Sequence, residues 1–200
     1  MEILKNTNNT LPIAKDAKKV GLMGIHSYHM ICSGLTDPDA PRVSLTDAFK
    51  AAGYKLNSRG IETYEACLLN KKYRLKAPGS TCFRPNYRQA YDEFKFFSED
   101  LVENVVDLSD VVILTIGREL CEGETVSQTE GAYLINKAER ELLLAMSRRC
   151  TVKDKQLIVV LNTAYPIETE SWADQAAAIV SIGTPAPDEA HAIVKALQGK

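Results

Sequence analysis

Two unbroken runs of apolar residues place the strongest constraint on the fold of this chain. The segment Asp110 to Gly117 contains Val-Val-Ile-Leu-Thr-Ile, and the segment Lys155 to Asn162 contains Leu-Ile-Val-Val-Leu. Both runs are rich in β-branched residues and neither alternates with charged ones, so each predicts a strand that is covered on both faces. Such strands occur in parallel sheets that carry helices on both sides. The two runs therefore predict an α/β fold.

Helical patterns separate the predicted strands along the chain. Strands are predicted at 18–25, 54–57, 110–117, 155–162 and 177–182. Helices are predicted at 44–52, from 58 to about 73, at 87–108, from 136 through 146, at a turn at 172–175, and at 187–197, with a long loop at 76–86. Ser44, Ser58 and Asn136 are the predicted helix caps, and Glu139 stands at the capping-box position after Asn136. This alternation implies a three-layer αβα sandwich with a mostly parallel sheet. We expect residues 1–200 to form a single domain, with 1–17 as an entering segment.

Composition and charge exclude several classes of protein. With 45% hydrophobic and 25% charged residues, the chain is neither disordered nor collagen-like. A net charge of -2 and the lack of a basic cluster argue against a nucleic-acid partner. No signal-peptide pattern begins the chain, and no apolar run approaches the roughly 20 residues that cross a bilayer, so no membrane partner is expected. Five cysteines without a Cys-x-x-Cys pair indicate reduced thiols in a cytoplasmic protein.

An acidic, glycine-containing loop follows the run at 110–117. It extends from Arg118 to Gly131 and carries four glutamates, Glu119, Glu122, Glu124 and Glu130. In open α/β sheets, ligands bind outside the carboxyl ends of the strands. Paired carboxylic acids cleave glycosidic bonds, and a partly desolvated glutamate can hold its proton near neutral pH. The alternative interpretation is that these are solvated loop charges, and composition alone favours it.

Other kinds of site have less support. Gly21 and Gly24 end the first predicted strand, but the third glycine of a dinucleotide fingerprint is missing and no P-loop pattern occurs. His26 and His29 follow as candidate metal or ligand residues, yet no carboxylate or cysteine ligand accompanies them, so no metal is expected. No Gly-x-Ser-x-Gly nucleophile motif is present. We expect no cofactor, which leaves the carboxylates as the candidate chemistry.

Six segments stand out by their order along the chain: Ile3 to Pro12, Lys19 to Gly24, Val43 to Gly53, Ile116 to Gly123, Gly131 to Leu134 with Glu139, and Val159 to Ile167 with Ser171 and Trp172. Taken in this order, they resemble the second domain of glycoside hydrolase family 3. The resemblance covers nearly the whole chain, and the order of the segments is more specific than any one of them. It implies a retaining β-glycosidase, acting on β-glucosides or related sugars, built from a (β/α)8 barrel followed by an αβα sandwich.

The resemblance also implies roles within the acidic loop. In many family members the general acid/base is the glutamate of a Gly-Glu-Gly loop, and Glu122 occupies the matching position. Arg118 and Glu124 are the candidate sugar-binding residues, and Arg118 would also shape or neutralise the loop. Two departures are visible: Cys121 replaces the first glycine, and Glu124-Thr125 replaces the Asp-Arg pair that often follows.

The family's nucleophilic aspartate belongs to the barrel. A barrel needs about 250 residues, so 200 residues cannot hold both it and the sandwich. We therefore expect the C-terminal domain of a β-glucosidase-like enzyme, inactive alone, with a carbohydrate substrate and a barrel on the same or a separate chain. One alternative is a non-catalytic sugar-binding or protein-interaction module on the same fold, and another is a flavodoxin-like ligand-binding protein. The sequence also leaves open whether the chain forms a homo-oligomer.

Overall fold

A six-stranded sheet forms the centre of the computed structural model, which describes residues 1–35, 40–69, 98–120 and 125–200. The strands are β1 (Glu2–Asn6), β2 (Lys19–Met23), β3 (Lys55–Leu56), β4 (Val111–Arg118), β5 (Leu157–Thr163) and β6 (Ala178–Ser181). The helices of the described ranges are α1 (Leu45–Ala51), α2 (Ser58–Leu69), α3 (Glu99–Asp107), α4 (Lys137–Val152) and α5 (Ala190–Leu197). Two short 3-10 turns, Ile25–Ser27 and Ala173–Gln175, follow β2 and precede β6. None of the helices in these ranges has the length and apolar character needed to cross a membrane.

The strand order is β1-β6-β5-β4-β2-β3. Four of the neighbouring pairs are parallel, and only β1 runs antiparallel to its neighbour, β6. The two apolar runs of the sequence became β4 and β5, which pair along their length at the middle of the sheet. The predicted αβα sandwich with a mostly parallel sheet is therefore confirmed.

Each face of the sheet has its own apolar core. Alternate residues of β4 and β5 point to opposite faces, so Val112 and Leu114 join one core while Val111 and Ile113 join the other. Helices α2, α3 and α4 cover the first face, and α1 and α5 cover the second. Every residue of β5 is buried, which explains why its sequence contains no charged residue.

Strand β1 was not anticipated from the sequence. Its residues, Glu-Ile-Leu-Lys-Asn, lack a run or alternation of apolar side chains, and four of the five are exposed. It forms because β6 offers an open edge, along which Glu2 pairs with Ser181 and Asn6 with Ala178. The Lys5 ammonium also donates to the carbonyl oxygens of Ala173 and Ala176, at 2.6 and 2.7 Å. Tertiary pairing, rather than local preference, decides this strand.

Helix caps follow the predicted residues with one exception. Ser44 and Asn136 each form a complete capping box, with Asp47 and Glu139 respectively. At α2 the cap is Asn57 rather than the predicted Ser58: the Asn57 side-chain oxygen accepts from the Gly60 amide at 2.9 Å, while Ser58 is the first helical residue. The predicted loop at 76–86 and the parts of two predicted helices at 70–73 and 87–97 lie outside the described residues.

Candidate functional site

The carboxyl end of β4 extends beyond its neighbour on one side. The parallel pairing of β4 with β2 ends at Leu114 opposite Met23, whereas pairing with β5 continues to Arg118 opposite Thr163. From Thr115 onward, one edge of β4 is therefore covered by the 3-10 turn after β2 instead of by a strand. The acidic loop begins at this strand end.

Arg118 is the last residue of β4, and its guanidinium is almost fully buried, with 2% of the side chain exposed. Nε donates to the Ala132 carbonyl at 2.9 Å. Nη1 donates to the Gly117 carbonyl and to Glu139 Oε1, both at 2.7 Å. Nη2 donates to Glu139 Oε2 at 2.7 Å and to the Leu134 carbonyl at 3.4 Å. Since a guanidinium has five N–H groups, all of them have an acceptor within the chain.

Glu139 connects this guanidinium to the start of α4. Its two carboxylate oxygens accept from Arg118 in a bidentate pair, the strong and directional arrangement of these groups. Oε2 also accepts from the Asn136 amide at 2.8 Å, and Asn136 Oδ1 accepts from the Glu139 amide at 2.9 Å. One carboxylate thus completes both the capping box and the ion pair. The Glu139 side chain is only 10% exposed.

Residues 125–136, which we call the return limb, comprise the end of the acidic loop and the segment that leads to α4, and this limb is folded on itself. The Tyr133 amide donates to the Ser127 carbonyl, and the Leu134 amide donates to the Thr129 carbonyl. Gly131 has a φ of 75°, a conformation that glycine adopts without strain, and its amide donates to the Leu134 carbonyl. The loop after β5 also contacts this limb, because the amide of Glu168 donates to the Tyr133 carbonyl at 2.9 Å. The return limb is therefore held by Arg118 on one side and by the β5 loop on the other.

The turn after β2 packs directly on the strand end. Ser27 and Thr115 are buried and share a hydrogen bond of 2.6 Å between their hydroxyls. The His26 ring lies against Gly117, where an added Cβ would come 2.1 Å from the ring carbon Cδ2. Gly24 approaches in the same way, because a Cβ there would lie 2.1 Å from the Thr115 carbonyl oxygen. Both glycines allow a contact that any side chain would prevent.

His26 is neutral at physiological pH. Burial of the ring lowers its pKa from 6.5 to about 3, and the neighbouring His29 and Arg118 act in the same direction. A hydrogen bond between Nδ1 and the His29 carbonyl, at 3.2 Å, opposes this shift but does not cancel it. Donation to that carbonyl assigns the proton to Nδ1, so Nε2 is the unprotonated nitrogen.

Asn162, near the end of β5, forms hydrogen bonds with two other segments, at Ile31 and at Gly183, at the same edge of the sheet. Its Oδ1 accepts from the Ile31 amide at 2.7 Å, and its Nδ2 donates to the carbonyls of Ile31 and Gly183 at 2.9 and 2.8 Å. The side chain is fully buried and fully hydrogen-bonded. Sequence reasoning did not identify this residue; the available signal was a polar side chain that ends an apolar strand.

The described residues include only part of the predicted site. Glu122 and Glu124 lie outside them, as does Cys121. Of the other loop glutamates, Glu119 is half-buried and Glu130 is exposed. In the described ranges no group of three or more His, Cys, Asp or Glu side chains is placed to hold a metal ion.

Comparison with solved structures identifies the same architecture in several β-glucosidases. The chain superimposes on β-glucosidase 3B from Thermotoga neapolitana in complex with glucose, with a TM-score of 0.81 at 24% identity, over 98% of this chain and 27% of that chain. For a β-glucosidase from Paenibacillus barengoltzii the TM-score is 0.77 at 20% identity, over 98% and 21% of the two chains. For β-glucosidase from Listeria innocua in complex with isofagomine it is 0.62 at 15% identity, over 98% and 23%. The chain thus spans about a quarter of the length of these enzymes.

The fold defines a three-layer αβα domain of the kind found in these β-glucosidases. The family described as glycosyl hydrolase family 3 C-terminal domain matches residues 1–200. The chain belongs to this family, as its sequence segments indicated. No curated protein matches it.

Proposed function

We propose that this chain supplies the acid/base carboxylate and part of the sugar pocket to a retaining β-glycosidase, with Glu122 as the general acid/base. The observation that carries the proposal is the anchored acidic loop in a chain of this family. The loop begins at Arg118, the buried last residue of β4, and the Arg118 guanidinium holds the return limb through the carbonyls of Ala132 and Leu134. A general acid requires support of this kind, because small displacements of a catalytic group lower the rate greatly.

The proposed chemistry needs a second carboxylate from another domain. In a retaining mechanism the nucleophile and the acid/base lie about 5–5.5 Å apart on opposite sides of the scissile bond. Glu122 would protonate the leaving oxygen in the first step and take a proton from water in the second. We propose that residues 1–200 form one domain and that the nucleophile belongs to a (β/α)8 barrel. The chain alone would then be inactive.

The solved relatives support a substrate class for the proposal. The Thermotoga neapolitana enzyme was solved with glucose, and a mutant of the Listeria innocua enzyme with laminaribiose. We propose a β-glucoside or related β-linked sugar for this chain, with Glu124 as a sugar contact. For Arg118 the geometry favours the shaping role, since a direct sugar contact would require exchange of one of its five hydrogen bonds within the chain.

Hydrolysis of a chromogenic aryl β-glucoside tests the proposal. We expect no turnover by the chain alone and turnover when it is combined with a barrel domain of the same family. In that assembled enzyme, Glu122→Gln should lower kcat by a factor of about 100 to 10,000, the usual contribution of general acid–base catalysis. Glu130→Gln, on the exposed part of the same loop, is the matched control and should leave kcat unchanged.

Two results would contradict the proposal. Robust hydrolysis by the chain alone would show that no second domain is needed. Full activity of the assembled Glu122→Gln enzyme would show that another group is the acid.

A further inference from the structure

The buried ion pair between Arg118 and Glu139 has a role beyond capping α4. We propose that Glu139 is a positioning residue of the acidic loop: it neutralises Arg118 and fixes the guanidinium where its other N–H groups hold the return limb. This inference rests on the proposed function only in its consequence for Glu122. The geometry that carries it lies entirely within the described residues.

The contacts of Glu139 couple two elements of the fold. Its oxygens are 2.7 Å from both terminal nitrogens of Arg118, and one of them accepts from the Asn136 amide. The planar guanidinium of Arg118 therefore has one orientation relative to α4. In that orientation Nε and Nη2 reach the carbonyls of Ala132 and Leu134. Without Glu139, the guanidinium would keep its carbonyl partners but lose the pair that fixes its plane.

The pair also balances charge beside the loop. The ionisable neighbours of Arg118 include Glu139 on α4 and His26 on the turn after β2. Glu139 forms the ion pair with Arg118, whereas burial lowers the pKa of His26 and keeps its ring unprotonated. An unbalanced buried cation would favour the ionised form of nearby carboxylic acids, which is the wrong direction for a group that must hold a proton. Glu139 thus keeps the field at the loop close to neutral.

Substitution by glutamine separates this role from capping. A capping box functions with either Glu or Gln at its third helical position. If Glu139 only caps α4, Glu139→Gln should behave like the wild type. If it also neutralises Arg118, the same change leaves a buried positive charge uncompensated.

The experiment uses the 200-residue chain, without any assay of hydrolysis. Carboxyl 13C NMR would follow the titration of Glu119, which directly follows Arg118 and is assigned by its own Gln variant. In Glu139→Gln we expect the Glu119 midpoint to fall by about half a pH unit or more. The matched control is Glu141→Gln, on the same helix, whose partner Lys137 is exposed; it should leave the Glu119 midpoint unchanged.

A double variant tests the two parts of the role separately. Arg118→Met with Glu139→Leu removes both charges, so the Glu119 midpoint should return to the wild-type value. The return limb loses its anchor in this variant, so the amides of Gly131 and Leu134 should exchange with deuterium at least tenfold faster. Failure of Glu139→Gln to fold, while the double variant folds, would equally support charge pairing.

An unchanged Glu119 midpoint in a folded Glu139→Gln chain, or unfolding of both variants, would overturn the inference. Neither result depends on glycosidase activity. Loss of the proposed function would instead appear as an inert assembled enzyme whose titrations still respond to Glu139.

Discussion

Acidification from pH 7 to pH 5 should destabilise this domain through one buried side chain, His26. The unfolded chain binds a proton at this ring with a pKa near 6.5, whereas burial lowers the pKa of the folded form to about 3. Between these values the unfolded state binds more protons than the folded one. Stability therefore falls as the pH falls below about 6.5, and the loss continues until the folded form is itself protonated near pH 3.

The size of the effect follows from the two pKa values. At pH 5 the unfolded state gains about 2 kcal/mol from protonation of His26, compared with about 0.2 kcal/mol at pH 7. The expected difference is therefore about 2 kcal/mol. Two aspartates with lowered pKa values do not interfere strongly in this window. Asp107 is salt-bridged and Asp110 accepts backbone hydrogen bonds, and unfolded aspartates take up protons near pH 4.

Urea unfolding at pH 7 and pH 5 measures this difference. His26→Gln should remove most of it, because glutamine does not titrate. His191→Gln, at an exposed position of α5, is the matched control and should retain the wild-type difference. If the wild type and His26→Gln lost the same free energy of unfolding between the two pH values, the reasoning from burial of His26 would be refuted.

Three further predictions concern other buried groups of the domain. Gly117→Ala should lower the free energy of unfolding by about 1–3 kcal/mol in urea, because its Cβ would lie 2.1 Å from the His26 ring. Adding His26→Ala should recover part of that loss, and simple additivity in the double variant would contradict the contact. Asn162→Ala should cost about 2 kcal/mol or more by the same measurement, since it leaves the buried amide of Ile31 without its acceptor; a loss under about 0.5 kcal/mol would contradict this. In a variant that keeps only Cys150, whose pKa burial raises to about 12, a disulfide reagent should label the thiol only upon unfolding. A variant that keeps only the half-buried Cys32 should react in the native state, and equal rates for the two would contradict the expected protection.

The strands at the middle of the sheet could be predicted because their burial leaves a simple mark on the sequence. A strand covered on both faces carries few charged residues, and β4 has one only at its last position, Arg118, so β4 and β5 appear as apolar runs. The caps at Ser44 and Asn136 were predictable for a similar reason, since a cap depends on residues three positions apart. These are local rules, and the structure confirms them.

The candidate site was less predictable because its contacts join distant segments. Glu139 could be identified as part of a capping box, but nothing near it in the sequence indicates a bond to Arg118. The contact between His26 and Gly117 depends on two strands lying side by side with β4 extending past β2. The sequence likewise marked Arg118 as a loop residue, whereas its burial and its five hydrogen bonds follow only from the fold.

The extension of β4 past β2 has a consequence for how this domain can be changed. The turn carrying Gly24 and His26 rests on Thr115 and Gly117, so this turn and the end of β4 share one packed surface. A side chain at position 117 is tolerated only together with a smaller residue in place of His26, which makes substitutions at these two positions epistatic. Libraries that randomise the end of β4 alone would therefore sample only sequences compatible with the present turn. Joint randomisation of the turn and the strand end would include compensated pairs whose single substitutions are each destabilising.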